Sequence, residues 1–126
     1  MNVLVIGSAP DAIQALDWDM KVFDQVVVIN NAWRTTTHWH ELIFPYDFLA
    51  ENKPSQLLNH QKFVTEDQFV PAQNLFGGFV YAGATMAFTA GYWSLASHLP
   101  TRMCFLGCNM HYRHNGPTHF YGKGQP

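Results

Sequence analysis

The chain is short of charge: Asp, Glu, Lys and Arg make up 13% of its 126 residues, and the seven Lys and Arg form no cluster. With a formal net charge of −2 it offers no basic groove for nucleic acid and no patch for an anionic membrane surface. Cysteine is scarce as well. Cys104 and Cys108 are the only two, and at i and i+4 on an extended segment they stand too far apart for an easy bridge. They read as reduced core thiols of a cytosolic, cytoplasmic protein. No G-x-G-x-x-G and no Gly-Lys-Ser/Thr is present, which excludes the dinucleotide fingerprint and the Walker loop. The seven histidines lack both an H-E-x-x-H and a Cys-x-x-Cys partner, so no metal is expected. The first residues carry no basic n-region or cleavage site of a signal peptide. The longest uncharged run, Gln68 to Thr101, holds Gly77, Gly78, Gly83 and Gly91; it is too polar for a bilayer span and reads as a buried helix with its lead-in loop.

What remains is an apolar-rich chain (48%) with enough length for one core and little room for a second, hence a single domain over residues 1–126. Val3-Leu4-Val5-Ile6 is a buried strand that stops at Gly7 and meets Pro10, a residue suited to the first helical position. A helix is expected from Pro10 to about Trp18, with Ser8 or Ala9 near its cap. Gln25 to Ile29 is a second strand ending in Asn30-Asn31. Trp33 to Trp39 reads as a turn or half-formed helix, because Thr35-Thr36-Thr37 disfavours a regular one. Glu41 to Phe44 is a third strand stopped by Pro45. A short helix is expected around Asp47 to Glu51 and a short strand at Lys62-Phe63-Val64. Pro71 to Val80 reads as a loop, Gly83 to His98 as the clearest helix, and Arg102 to Leu106 as another core strand. The tail, residues 111–126, is Gly-, His- and Pro-rich, without periodicity, and is expected to continue into a further C-terminal part.

Strands alternating with helical segments give an α/β fold, an open and mainly parallel sheet flanked by helices. Right-handed crossovers bring the carboxyl ends of the strands to one edge, where ligands of such sheets bind. The special residues fall there: Gly7-Ser8-Ala9, Asn30-Asn31, Pro45-Tyr46 and Gly107-Cys108-Asn109. The first turn is either an ordinary strand-to-helix connection or a seat for a single phosphate or sugar hydroxyl, Asp11 disfavouring a pyrophosphate. The amides of Asn30 and Asn31 either read a base or ribose edge or hold their own turn. Gly83, with Ala84 and Thr85, opens an uncharged helix whose free N–H groups favour an anion, whereas Gly91 suits close packing. A tail histidine is suited to proton abstraction near neutral pH.

Taken together, these segments resemble the bacterial sialyltransferases of glycosyltransferase family 42. The likeness rests on Ile6-Gly7-Ser8-Ala9-Pro10, on Val28-Ile29-Asn30-Asn31, and on the long third piece: Ala82-Gly83-Ala84-Thr85-Met86, Gly91-Tyr92, and Cys104 through Tyr112. Where the family carries Thr-Ser-Gly this chain has Tyr81-Ala82-Gly83, so the donor-facing hydroxyls are either missing or moved to Thr85. The resemblance implies a Rossmann-like nucleotide-sugar-binding domain. It further implies inverting transfer from a cytidine-monophosphate-activated sugar to a glycan or other hydroxyl acceptor, with no required cofactor. It places Gly7, Ser8 and Asn30 on the nucleotide, and Ala82, Gly83, Ala84 and Thr85 against the donor sugar; Ala9, Asn31 and Asn109 are further candidates for the same pocket. Tyr112, with Tyr121, would hydrogen-bond the leaving phosphate. His119 would be the base, with His111 and His114 behind it. Two other readings stand beside this one: a non-catalytic nucleotide- or sugar-binding module, and a His-dependent metal hydrolase. Self-association is expected through apolar surface that a C-terminal part would cover.

Overall fold

The computed structural model describes residues 1–75 and 86–108. Five strands, β1 (Asn2–Ile6), β2 (Gln25–Ile29), β3 (Glu41–Ile43), β4 (Lys62–Val64) and β5 (Arg102–Leu106), form one sheet in the order β4-β3-β2-β1-β5. Every pairing is parallel, with Val5 beside both Val27 and Phe105. The expected open parallel α/β sheet is therefore what the chain forms.

Alternation along the strands divides the core between the two faces. Leu4, Ile6, Val26, Val28 and Leu42 pack on one face with Ala12, Ala15, Ala32 and Trp39. Val3, Val5, Val27, Ile29, Ile43 and Val64 pack on the other with Phe69, Met86 and Ala90. The central strands are thus covered on both sides, and their continuous aliphatic runs follow from that. The covering layers differ in kind. The chain steps from β1 to β2 and from β2 to β3 through 3-10 segments, Pro10–Asp17 and Asn30–Thr35, on the first face. It returns past β1 to β5 through α1 (Glu66–Asn74) and α2 (Met86–His98) on the second. Reversing the direction of travel moves the crossover to the opposite face, as right-handed connections require.

The helix expected from Pro10 is present and is a 3-10 helix over Pro10–Asp17. Ala12 and Ala15 within it, and Ala9 just before it, are buried at every third position, which is the 3-10 period. Two expectations need correction. Residues 71–74, expected as loop, belong to α1 despite Pro71. Thr65-Glu66-Asp67-Gln68 acts as a capping box, with the Thr65 amide donating to Gln68 Oε1 at 3.3 Å, and buried Phe69 and Ala72 anchor the helix. Pro71 forfeits one helical hydrogen bond and stays exposed, so the anchored helix tolerates it. Finally, β5 is an edge strand rather than a core strand. Arg102, Cys104 and Phe105 are exposed, so Cys104 is a surface thiol and not a core one.

The expected loop at 76–80 and the helix start at Gly83 lie outside the described residues; α2 is described from Met86. Among the described residues no helix is long and apolar enough to cross a membrane.

Candidate functional site

Because all strands are parallel, their carboxyl ends share one rim. The sheet order reverses at β1, which has β2 on one side and β5 on the other. That makes the β1/β5 boundary the topological switch point, where the connections diverge to opposite faces and open a crevice.

Two glycines occupy this point. The Gly7 amide donates to the Leu106 carbonyl at 2.7 Å, and the Ala9 amide donates to the Gly107 carbonyl at 2.9 Å. Gly107 has φ +68, a left-handed conformation that suits glycine, and a Cβ there would stand 2.6 Å from Ala12 Cβ. A Cβ on Gly7 would overlap the Gly107 carbonyl oxygen. The two turns therefore lock together, backbone to backbone. Ser8 is buried in the first of these turns, and Cys108 is half-buried after the second with its thiol 3.8 Å from the Val5 carbonyl oxygen. Two of the amides that a phosphate would use at this turn are already engaged by the neighbouring strand.

Next along the rim, β2 ends in the pair that carries most of the chemistry. Asn30 has φ 51, and a non-glycine residue held there is strained, although asparagine bears it better than most. Asn30 and Asn31 are each only 3% exposed. Their side-chain oxygens, Oδ1 of both, have no hydrogen-bond partner among the described residues. A buried amide oxygen left without a donor is costly, on the order of 1–3 kcal/mol each. Two adjacent ones at a strand end require a donor beyond those the described residues supply. The neighbouring Thr35 hydroxyl is already committed, donating to the Ala32 carbonyl at 2.7 Å.

At the end of β3 the rim is closed by the start of α1. The Tyr46 amide donates to Glu66 Oε1 at 3.1 Å, and the Tyr46 phenol, hydrogen-bonded to Asp67, titrates above its ordinary range.

Of the sequence-derived site residues, the structure brings Gly7, Ser8, Ala9, Asn30 and Asn31 to this rim. Ala82, Gly83, Ala84, Thr85, Asn109, His111, Tyr112, His114, His119 and Tyr121 lie outside the described residues. Among the described residues, no group of three or more His, Cys, Asp or Glu is placed to hold a metal ion.

A polar cluster that sequence reasoning missed lies at the opposite, amino-terminal edge. Glu41 opens β3, is 1% exposed, and points into the face covered by α2. Its Oε1 accepts from Trp93 Nε1 at 3.3 Å and bonds His98 Nε2. Lys62 Nζ stands 3.4 Å from Oε2, near enough for charge attraction but without hydrogen-bond alignment. Burial raises the Glu41 pKa, but the His98 hydrogen bond and charge, the Trp93 N–H and Lys62 together bring it below the ordinary value. Beside it, His40 Nδ1 accepts the Val26 amide at 3.0 Å, and burial, then His60 and His98, lower its pKa against the pull of Glu41. The one available signal was a single acid opening an otherwise apolar strand. This carboxylate ties α2 to the sheet.

Comparisons of the chain with family models, curated proteins and solved structures find no match.

Proposed function

We propose that this protein binds a nucleotide-linked sugar along the carboxyl-terminal rim of its sheet and transfers the sugar to a hydroxyl acceptor. The reaction follows the family 42 sialyltransferases that its sequence resembles. The observation that carries the binding part is the pair of buried amide oxygens on Asn30 and Asn31, which have no partner among the described residues. Both are acceptors, so the ligand group meeting them must donate: an exocyclic base amine or a ribose hydroxyl, not a phosphate oxygen. The exocyclic amine of cytosine meets that demand, consistent with a cytidine-monophosphate donor. The strain at Asn30 supports the same reading, because a backbone held in a sparsely populated region marks sites where geometry serves a ligand. His119 acts as the base on the acceptor hydroxyl, and Tyr112 with Tyr121 supports the leaving phosphate.

Incubation with cytidine-monophosphate-sialic acid and a sugar acceptor, followed by release of cytidine monophosphate, tests the transfer. Release that disappears in His119→Ala is expected. No release and no cytidine nucleotide binding would defeat the proposal.

One observation favours a second reading, a binding module without chemistry. The Gly7 and Ala9 amides are engaged by the end of β5 and by Gly107 just after it, which leaves the first turn fewer donors for a phosphate than a dedicated phosphate loop has. That reading expects saturable nucleoside or sugar binding that His119→Ala does not change, and no turnover.

A further inference from the structure

A second cleft opens on the face covered by the 3-10 segments, away from the strand-end rim. It encloses about 610 Å³ between the end of the Pro10–Asp17 segment, the stretch from Trp33 to Trp39, and the loop from Pro54 to Gln61. Three of the chain's four tryptophans line it, Trp18, Trp33 and Trp39, together with Arg34, Thr37 and Gln56.

Each indole is held in place by something behind it. Trp33 Nε1 donates to the Asn52 carbonyl at 2.8 Å. Trp18 stacks on Phe23 at 6.5 Å between centroids, with 27° between the planes. Trp39 is 2% exposed and belongs to the core beneath. Fixed aromatic walls lose little freedom when a ligand arrives, and aromatic lining with a few polar groups is what small-molecule sites of this size carry.

The polar groups define the ligand. Among the described residues, no Asp or Glu lines the cleft. Arg34 lies over the Trp33 ring, its guanidinium carbon 5.4 Å from the centroid, and no carboxylate stands within ion-pair distance of it among the described residues. A guanidinium held near an indole face with no acidic partner keeps donors for a carboxylate. Thr37 and Gln56 add a hydroxyl and an amide with no side-chain hydrogen bond among the described residues. Apolar ring faces against indole, hydroxyls against Thr37 and Gln56, and one carboxylate against Arg34 describe a pyranose acid. We propose that this cleft is a binding site for acidic carbohydrate, separate from the nucleotide rim and independent of the transfer reaction.

The fourth tryptophan supplies an internal control, since Trp93 bonds Glu41 on the opposite face. The test titrates the full chain with glucuronic acid, galacturonic acid and glucose while following the four indole N–H signals by NMR. The uronic acids are expected to move the Trp18 and Trp33 signals saturably and leave Trp93 unmoved. Glucose should bind about tenfold more weakly, the loss of one charge-assisted bond. Arg34→Gln should reduce uronic acid affinity to the level of glucose, and Trp18→Ala should weaken all three sugars. Both side chains are exposed, so neither substitution disturbs the core. Asn30→Gly should leave these titrations unchanged, which separates this site from the rim. The proposal is overturned if the uronic acids leave Trp18 and Trp33 unmoved, if glucose matches them, or if Arg34→Gln binds them as the parent does.

Discussion

Gly7 and Gly107 meet backbone to backbone at the switch point of the sheet, and neither leaves room for the other to carry a side chain. A Cβ on Gly107 would stand 2.8 Å from the Gly7 carbonyl oxygen, and one on Gly7 would overlap the Gly107 carbonyl. The closest atoms are main chain or the fixed Cβ of Ala12, so neither clash can be relieved by turning a side chain. Gly7→Ala is therefore expected to destabilise the protein by about 2 kcal/mol or more, read from the midpoint of urea unfolding. Gly107→Ala should do at least as much, because it adds a left-handed penalty to the overlap with Ala12. A Gly7→Ala variant as stable as the parent would mean that the two turns do not lock together.

Leu99 makes the opposite prediction. It follows α2 with φ 47 and is 80% exposed, so its side chain gains almost nothing from burial while its backbone sits where glycine is at ease. Leu99→Gly should raise stability by roughly 0.5–1 kcal/mol, the relief of strain outweighing the added freedom of the unfolded chain. A fall in the thermal midpoint would contradict this.

Acid should unfold the protein in two stages. Burial, with His60 and His98, holds the His40 pKa below its ordinary 6.5, so the unfolded chain takes up that proton first. The stability His40 contributes is complete above 6.5 and is lost as pH falls towards its lowered folded value. Glu41 behaves likewise from a lower start. Its folded pKa lies below the ordinary 4.5, so its contribution is complete above 4.5 and is lost as pH falls through the folded value. His40→Asn keeps an acceptor for the Val26 amide and should remove the upper stage alone. Glu41→Gln should remove the lower stage and cost about 1–3 kcal/mol at neutral pH, the value of charge-assisted bonds to His98 and Trp93. Denaturant midpoints measured across pH check both assignments; an upper stage unchanged in His40→Asn would refute the first.

The strands were legible because parallel central strands bury both faces and so read as unbroken aliphatic runs, as at Val3 to Ile6 and Val26 to Ile29. Composition does not reveal which strand stands at the edge. Arg102 to Leu106 looks as apolar as a central strand, and its exposure follows only from the sheet order. Pro71 marks a loop start by composition, whereas in the fold the cap at Thr65 and Gln68 and the buried anchors Phe69 and Ala72 carry the helix through it. Alanine at every third position, Ala9, Ala12 and Ala15, carries the 3-10 period in the sequence itself. At the rim, Asn30-Asn31 was visible as a polar pair after a strand, but its burial and missing partners depend on neighbours far along the chain. Glu41 was silent for the same reason: Trp93 and His98 lie 52 and 57 residues away.

The most direct test of nucleotide binding at the rim is calorimetric titration of cytidine monophosphate into the parent protein and into Asn30→Gly. Glycine accepts the left-handed backbone of this turn, so the variant should fold with an unchanged or higher thermal midpoint. It also removes one of the two unpartnered acceptors. Saturable binding by the parent and at least about tenfold weaker binding by the variant is the predicted result. No binding by the parent, or equal affinity in both proteins, would contradict it.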